Sequence, residues 1–238
     1  MTATPNDGKP LVRDVAGTAF ERIPIRTHVV MDGEDIVEVV TRYAAPVVAP
    51  GDTLFVTEKI VAITQGRSFP VDSITARPLA HTLSKYVTKT SHGIGLGMPE
   101  TMEMALRECG TPRILFAAAV AAVSKALGRK GDFYRIAGPK ARGIDGPTHN
   151  TIPPYNTQVV LVPLRSREIA HELQAALGGQ IEVAIVDIND FGGNVLGSTL
   201  TAAGEKQLVG ILADNPLGQN HESTPLGVVR PARASDAG

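Results

Sequence analysis

The sequence predicts an α+β fold (mixed α/β), on three observations. Val183-Ala184-Ile185-Val186 is an unbroken apolar run rich in β-branched residues, which makes a short buried strand. Between Gly33 and Tyr43, apolar residues fall at Ile36, Val37, Val39, Val40 and Tyr43, the spacing of an amphipathic helix. Strand-like and helix-like segments then interleave with uneven lengths and no internal repeat.

In order, Arg22 to Arg26 reads as extended, because Pro24 biases its neighbour away from helix. The Gly33–Tyr43 helix stops before Pro46 and Pro50-Gly51. Thr53 to Val56 is a strand that runs into a helix capped by Thr57. That turn either packs as an ordinary capped helix or offers its backbone N–H groups to an anion. Gly93 to Pro99 alternates glycines without the spacing of a phosphate loop, so it reads as a connector with His92 at its root. It leads into a helix with Pro99 near its start and Gly110 past its end. Ile114 to Leu127 is apolar nearly all round and is expected to be a buried helix. Asp132 to Ala137 reads as a strand and Arg142 to Asn150 as a polar loop. Thr157 to Val162, a helix from Ser166 (as N-cap) to Leu177, and Val183 to Val186 read as a strand–helix–strand unit. A helix over Glu205 to Leu212 and a strand over Leu226 to Arg230 close the chain. Residues 1–10 and 231–238 are expected to be flexible ends.

Composition narrows the function. The chain has 238 residues, enough for one large domain or two small ones, with 43% hydrophobic residues and a net charge of -1. That near-neutral balance speaks against a nucleic-acid or membrane-surface binder. The single cysteine, Cys109, rules out an intrachain disulfide and a multi-cysteine zinc site and fits a reducing compartment. The N-terminus lacks an apolar signal region and the longest apolar run is too short to span a bilayer, so a cytoplasmic protein is expected.

The stretch richest in chemistry is Val183 to Asn194. Its apolar run stops at Asp187, and Asn189 and Asp190 follow before Gly192-Gly193. Oxygen-bearing side chains at the end of a buried strand suit a hard cation, and they equally suit an ordinary strand-end turn. The segment is not an EF-hand, since Phe191 and Ser198 stand at the fifth and twelfth positions of that loop.

Five blocks in order resemble one family. Asp52-Thr53-Leu54-Phe55-Val56-Thr57-Glu58-Lys59-Ile60-Val61, ending Gln65-Gly66-Arg67, resembles a block of the glutamate ligases that extend coenzyme F420. Ile23-Pro24-Ile25 with Asp35-Ile36-Val37 resembles that family's opening. Leu217-Gly218-Gln219, Glu222 and Thr224-Pro225-Leu226-Gly227-Val228-Val229-Arg230 resemble its close. Gly143-Ile144-Asp145 and Val186-Asp187 resemble the two acid-bearing blocks between them.

The resemblance implies a GTP-dependent amide ligase. In that family GTP phosphorylates a terminal carboxylate of the deazaflavin F420-0, and the amine of L-glutamate attacks the acyl phosphate. It implies manganese or magnesium bridging the phosphates, where several negative charges meet. By carry-over, Asp145 and Asp187 are the catalytic metal ligands, with Asn189 and Asp190 assisting. Ile23, Pro24, Ile25 and Arg26, with Thr57, Glu58 and Lys59, form the nucleotide site, and Gly218, Gln219, Glu222 and Thr224 form its closing segment. A two-part fold over residues 11–230 and an intertwined homodimer are also implied. The parts are expected as about 11–90 with 213–230, and about 91–212.

The sequence also departs from the family. After the second acid the family carries a Thr-x-Gly-Arg pattern; here Ile188 holds the threonine position and no arginine follows. A basic residue often found three positions before the Gly-Arg pair is Ile63 here, and the first acid is followed by Gly146-Pro147-Thr148. Two alternatives therefore stand beside F420-type glutamylation: the same scaffold ligating an amino acid to another acid, and a nucleotide- or deazaflavin-binding protein without turnover.

Overall fold

The computed structural model describes residues 4–87, 95–129, 131–149, 151–189, 192–218 and 221–232. The fold is mixed α+β, as expected, in two compact units: Met1–Gly66 with Pro163–Gly238, and Arg67–Val162. The breaks expected near residues 90 and 212 stand at 66/67 and 162/163, because the strand after residue 163 pairs into the sheet of the first unit.

The first unit opens with the hairpin β1 (Val12–Val15) and β2 (Thr18–Ile25). Helix α1 (Ile36–Ala44) starts at Asp35, whose carboxylate accepts from the Val37 and Glu38 amides at 2.7 and 3.1 Å. Strand β3 (Thr53–Thr57) runs straight into α2 (Glu58–Thr64). Thr57 stands at the cap position, but its side chain makes no capping hydrogen bond.

The second unit contains β4 (Ser68–Pro70), α3 (Pro78–Ser84), α4 (Pro99–Cys109), α5 (Thr111–Ala126), α6 (Asp132–Ala137), α7 (Pro139–Arg142) and β5 (Gln158–Val160). Strands β4 and β5 pair antiparallel, and a core of Leu96, Met102, Leu106, Ile114, Ile144 and Val159 fills the unit. Helix α4 starts at Pro99 and ends at Gly110 (φ 87°), as expected. His92, Gly93 and Ile94 lie outside the described residues.

Two expectations fail here. Asp132–Ala137 is a helix, not a strand, because Phe133, Ile136 and Ala137 turn inward at helical spacing while Asp132 pairs with Arg135 one turn on. Helix α5 is not buried: only Ile114 and Ala117 are enclosed, and Phe116 and Val123 are 63% and 64% exposed. An apolar sequence states that a helix wants cover; it does not name the covering element.

The chain re-enters the first unit with α8 (Ser166–Ala176), β6 (Glu182–Asn189), β7 (Gly192–Ser198), α9 (Ala202–Ile211) and β8 (Leu226–Pro231). Arg165, at φ 55°, takes the cap position expected for Ser166. The sheet order is β1-β2-β8-β3-β6-β7, with β3 parallel to β6 and β8 antiparallel to both β2 and β3. The expected strand–helix–strand unit over 157–186 is therefore absent, since β5 belongs to the other unit's sheet. One face of the sheet packs Leu54, Val56, Val183 and Ile185 under α1, α2 and α8; the other packs Phe55, Ala184 and Val186 under α9. This alternation is the period of two that strands impose.

The N-terminus is anchored and not frayed over the described residues. Asn6 is buried, and its amide donates to the Leu217 carbonyl at 2.8 Å and to the Thr224 hydroxyl at 2.6 Å. Arg22, fully buried, donates to Pro10 and Ile211 carbonyls and pairs with Asp214, which also holds Arg13 at 2.7 Å. At the other end β8 reaches Pro231, and residues 233–238 lie outside the described residues.

Burial works to raise the Asp214 carboxyl, and Arg22, with Arg13 behind it, outweighs burial and holds it below the usual carboxylate range. A carboxyl depressed on folding contributes stability that is present above its unfolded pKa and lost as pH falls through its folded one. Asp214→Asn should therefore cost about 2–4 kcal/mol in urea unfolding at neutral pH, since it strands a buried guanidinium. The deficit should shrink as the pH is lowered through the acid range. Gly197→Ala is expected to cost about 1–3 kcal/mol, because a Cβ there would collide with the Ser166–Arg167 backbone at the start of α8.

Candidate functional site

Sheet register brings several of the sequence-chosen residues to one edge. Ile25, Leu226, Val56 and Ile185 lie side by side across β2, β8, β3 and β6. One residue further, Arg26, Pro225, Thr57 and Val186 form the next row, and Asp187 and Glu58 stand just beyond it. β2 and β3 end at this edge while β6 runs on to Asn189, and the carboxyl ends of strands are where open sheets gather ligands. From β2 to β6 is three strand spacings, about 14 Å.

The side chains in this row differ in what they can do. Ile25 is core, and Ile23 and Pro24 are half-buried in β2, so these three shape the edge through backbone and packing. Arg26 is exposed and makes no ion pair or hydrogen bond among the described residues, which leaves a free cation at the end of β2. Thr57 donates its amide to the Pro225 carbonyl at 2.9 Å and keeps its hydroxyl outside any hydrogen bond among the described residues. Glu58 and Lys59 follow in the first turn of α2, both half-buried.

Asp187 is not at a strand end. The strand continues to Asn189 and folds back as a hairpin, with Asp187 opposite Asn194 and Asn189 opposite Gly192. Val186 and Ile188 pack toward α9, so Asp187 and Asn189 present their oxygens on the opposite face, two residues apart. Ile188, at the family's threonine position, is part of that packing. Asp190 lies outside the described residues, as does Gln219. Among the described residues no three His, Cys, Asp or Glu side chains form a metal-holding group. Two oxygen donors from one strand suit a magnesium-type ion, which is commonly held by one or two protein oxygens and completed by phosphates and water.

Asp145 is in the second unit. Its amide and carbonyl exchange hydrogen bonds of 2.9 Å with Val160, and its side chain is exposed. In the closing segment, Gly218 adopts φ 74° with the Glu222 carboxylate against it. Thr224 is buried and spends its hydroxyl on Asn6 and the Leu217 carbonyl, so it holds the segment in place. Ser223 donates to the Thr27 carbonyl at 3.0 Å and accepts the Thr27 amide on its own carbonyl, tying this segment to the end of β2.

One cluster at this edge has no clear sequence signal. His28 contacts Glu34 through Nε2 at 2.7 Å and the Tyr43 hydroxyl through Nδ1 at 2.9 Å, and Glu34 also accepts the Met31 amide. The Met31 amide is the largest influence on Glu34; with His28 it outweighs burial and holds the carboxyl below its ordinary range. The contact closes a loop, and no helical or strand period relates residues 28, 34 and 43. A cavity of about 150 Å³ lies at the far end of the sheet, between the start of β3, the end of β8 and α9, away from the acids.

The model of the F420-0:gamma-glutamyl ligase family matches residues 24–211. That is most of the chain, and the chain belongs to this family. The match takes in Arg26, Thr57, Asp145 and Asp187 and ends before Gly218, Glu222 and Thr224. No curated protein sequence matches the chain. No helix among the described residues is long and apolar enough to cross a membrane.

Glu34→Gln should leave the fold intact and loosen the 28–34 loop. The Met31 amide is then expected to exchange with solvent about tenfold faster, as loss of a charged hydrogen-bond acceptor implies, which NMR hydrogen exchange reads.

Proposed function

We propose that this chain is a GTP- and metal-dependent amide ligase that joins L-glutamate to the carboxylate of F420-0. The family match supports the reaction class. The observation that carries the site is the shared sheet edge, where Arg26 follows β2, Thr57 ends β3 and Asp187 lies on β6. The γ-phosphoryl group of GTP moves to the acceptor carboxylate and GDP leaves; the glutamate amine then displaces phosphate and forms the amide. Such a transfer is catalysed by positioning and by neutralising charge.

In this scheme Asp187 and Asn189 hold the divalent ion, with Asp190 beside them in sequence, and the ion supplies charge neutralisation at the phosphates. Arg26, at the end of β2, and Lys59, in the first turn of α2, provide cationic side chains where the family's arginine after the second acid is missing. Thr57 offers a hydroxyl to phosphate, and the tie between Ser223 and Thr27 keeps the closing segment against the nucleotide edge. The metal role of Asp145, in the second unit, rests on the family resemblance alone.

The same proposal includes a homodimer. Helix α5 exposes Leu115, Phe116 and Val123 along its length, and a second copy of the chain is the partner the family resemblance supplies.

Two measurements test this. In thermal-shift titrations, GTP with manganese should raise the melting temperature by mass action, and Asp187→Asn should abolish both that shift and turnover while melting like the parent. A full shift in Asp187→Asn would remove this residue from the metal site. Phe116→Glu should lower the mass seen by light scattering from two chains to one; an unchanged dimer would place the interface elsewhere.

A further inference from the structure

The two units carry opposite charge. Residues 67–162 hold twelve Lys and Arg against six Asp and Glu, a formal +6, while the rest of the chain holds eleven against eighteen, a formal -7. The near-neutral total hides this. Within the second unit, three acids are each bracketed by two cations: Glu103 by Arg77 and Arg107, Glu108 by Arg67 and Lys140, and Asp132 by Arg129 and Arg135.

In the first of these clusters the acid is inside and the cations are outside. The Glu103 side chain is 2% exposed, whereas Arg77 and Arg107 are 48% and 51% exposed. Arg77 spends only its Nε on Glu103, at 3.0 Å, together with its own backbone amide. Arg107 gives Nε to Glu103 at 2.9 Å and one Nη to the Thr75 carbonyl at 3.1 Å. Both Nη groups of Arg77 and one of Arg107 make no hydrogen bond among the described residues. One buried carboxylate needs one guanidinium for neutrality. A second leaves a net positive charge and two like charges converging on one point, an arrangement that an added anion relieves. Guanidinium forks with outward donors match the geometry of phosphate oxygens, and a carboxylate that holds both from below pre-organises them.

We propose that Arg77 and Arg107, held over buried Glu103, form an anion-binding site in the second unit that takes the phosphate group of a ligand. Glu103 is its positioning residue. The site goes beyond the ligase function and does not depend on it, because neither Asp187 nor the sheet edge takes part. The phosphate can belong to a nucleotide or to a phosphodiester, and the two differ in charge and in free oxygens.

The test is calorimetric titration of the full chain with inorganic phosphate, without divalent metal, so that no metal–nucleotide site contributes. Phosphate should bind the parent chain, and Arg107→Gln should weaken it about tenfold, as loss of a charge-assisted pair implies. Arg107→Lys keeps the ion pair with Glu103 and loses the fork, so it separates lost recognition from lost folding; it should also bind more weakly. Separate arms with GTP and with dimethyl phosphate assign the source: the ligand that loses affinity in both variants is the one that uses this site. Phosphate binding that is absent from the parent chain, or equal in all three proteins, would overturn the proposal.

Discussion

Hydrogen bonding of β8 to β2 on one side and β3 on the other is the interaction on which the first unit depends. Without it the N-terminal hairpin and the parallel pair β3/β6 would be separate pieces, each with an open edge. The strand arrives from the far end of the chain, so its docking is a long-range event secured by other long-range contacts. Arg22, buried beneath α9, ties the preceding turn through Asp214, and Asn6 clips the Leu217–Thr224 segment that leads into β8. The same register places Arg26, Thr57 and Asp187 at one edge, so the pairing that secures the unit also sets where the proposed site lies.

The second unit follows a different electrostatic rule. Three of its carboxylates, Glu103, Glu108 and Asp132, are each held by two cations, so each of these clusters carries an excess of positive charge. Long-range attraction speeds encounter with an anionic ligand without adding to the chemistry at the sheet edge.

Much of the fold was legible because it is local. The spacing of Ile36 to Tyr43, Pro99 and Gly110 around α4, and the β-branched run of β6 each name their own element. What escaped was the choice of partners. Asp132–Ala137 is short enough for either period, and its inward residues decide for helix. Helix α5 declared its apolarity but not its cover. The run after Val186 looked like a strand end because Asp, Asn and Gly favour turns, yet pairing with β7 carries the strand through Asp187. Of the candidate site, Asp187 and Asn189 stand out as oxygen donors after an apolar run, and the β2 residues through family blocks. His28, Glu34 and Tyr43 do not, since a loop closed by side chains leaves no period in the sequence.

Mass spectrometry of the product is the most direct measurement of the central claim. The chain would be incubated with F420-0, L-glutamate, GTP and manganese, with phosphate followed in parallel. A deazaflavin product heavier by one or more glutamyl residues, formed with matching phosphate release and only when GTP is present, is the predicted result. Unchanged F420-0, with no phosphate released, would contradict ligase activity toward this acceptor.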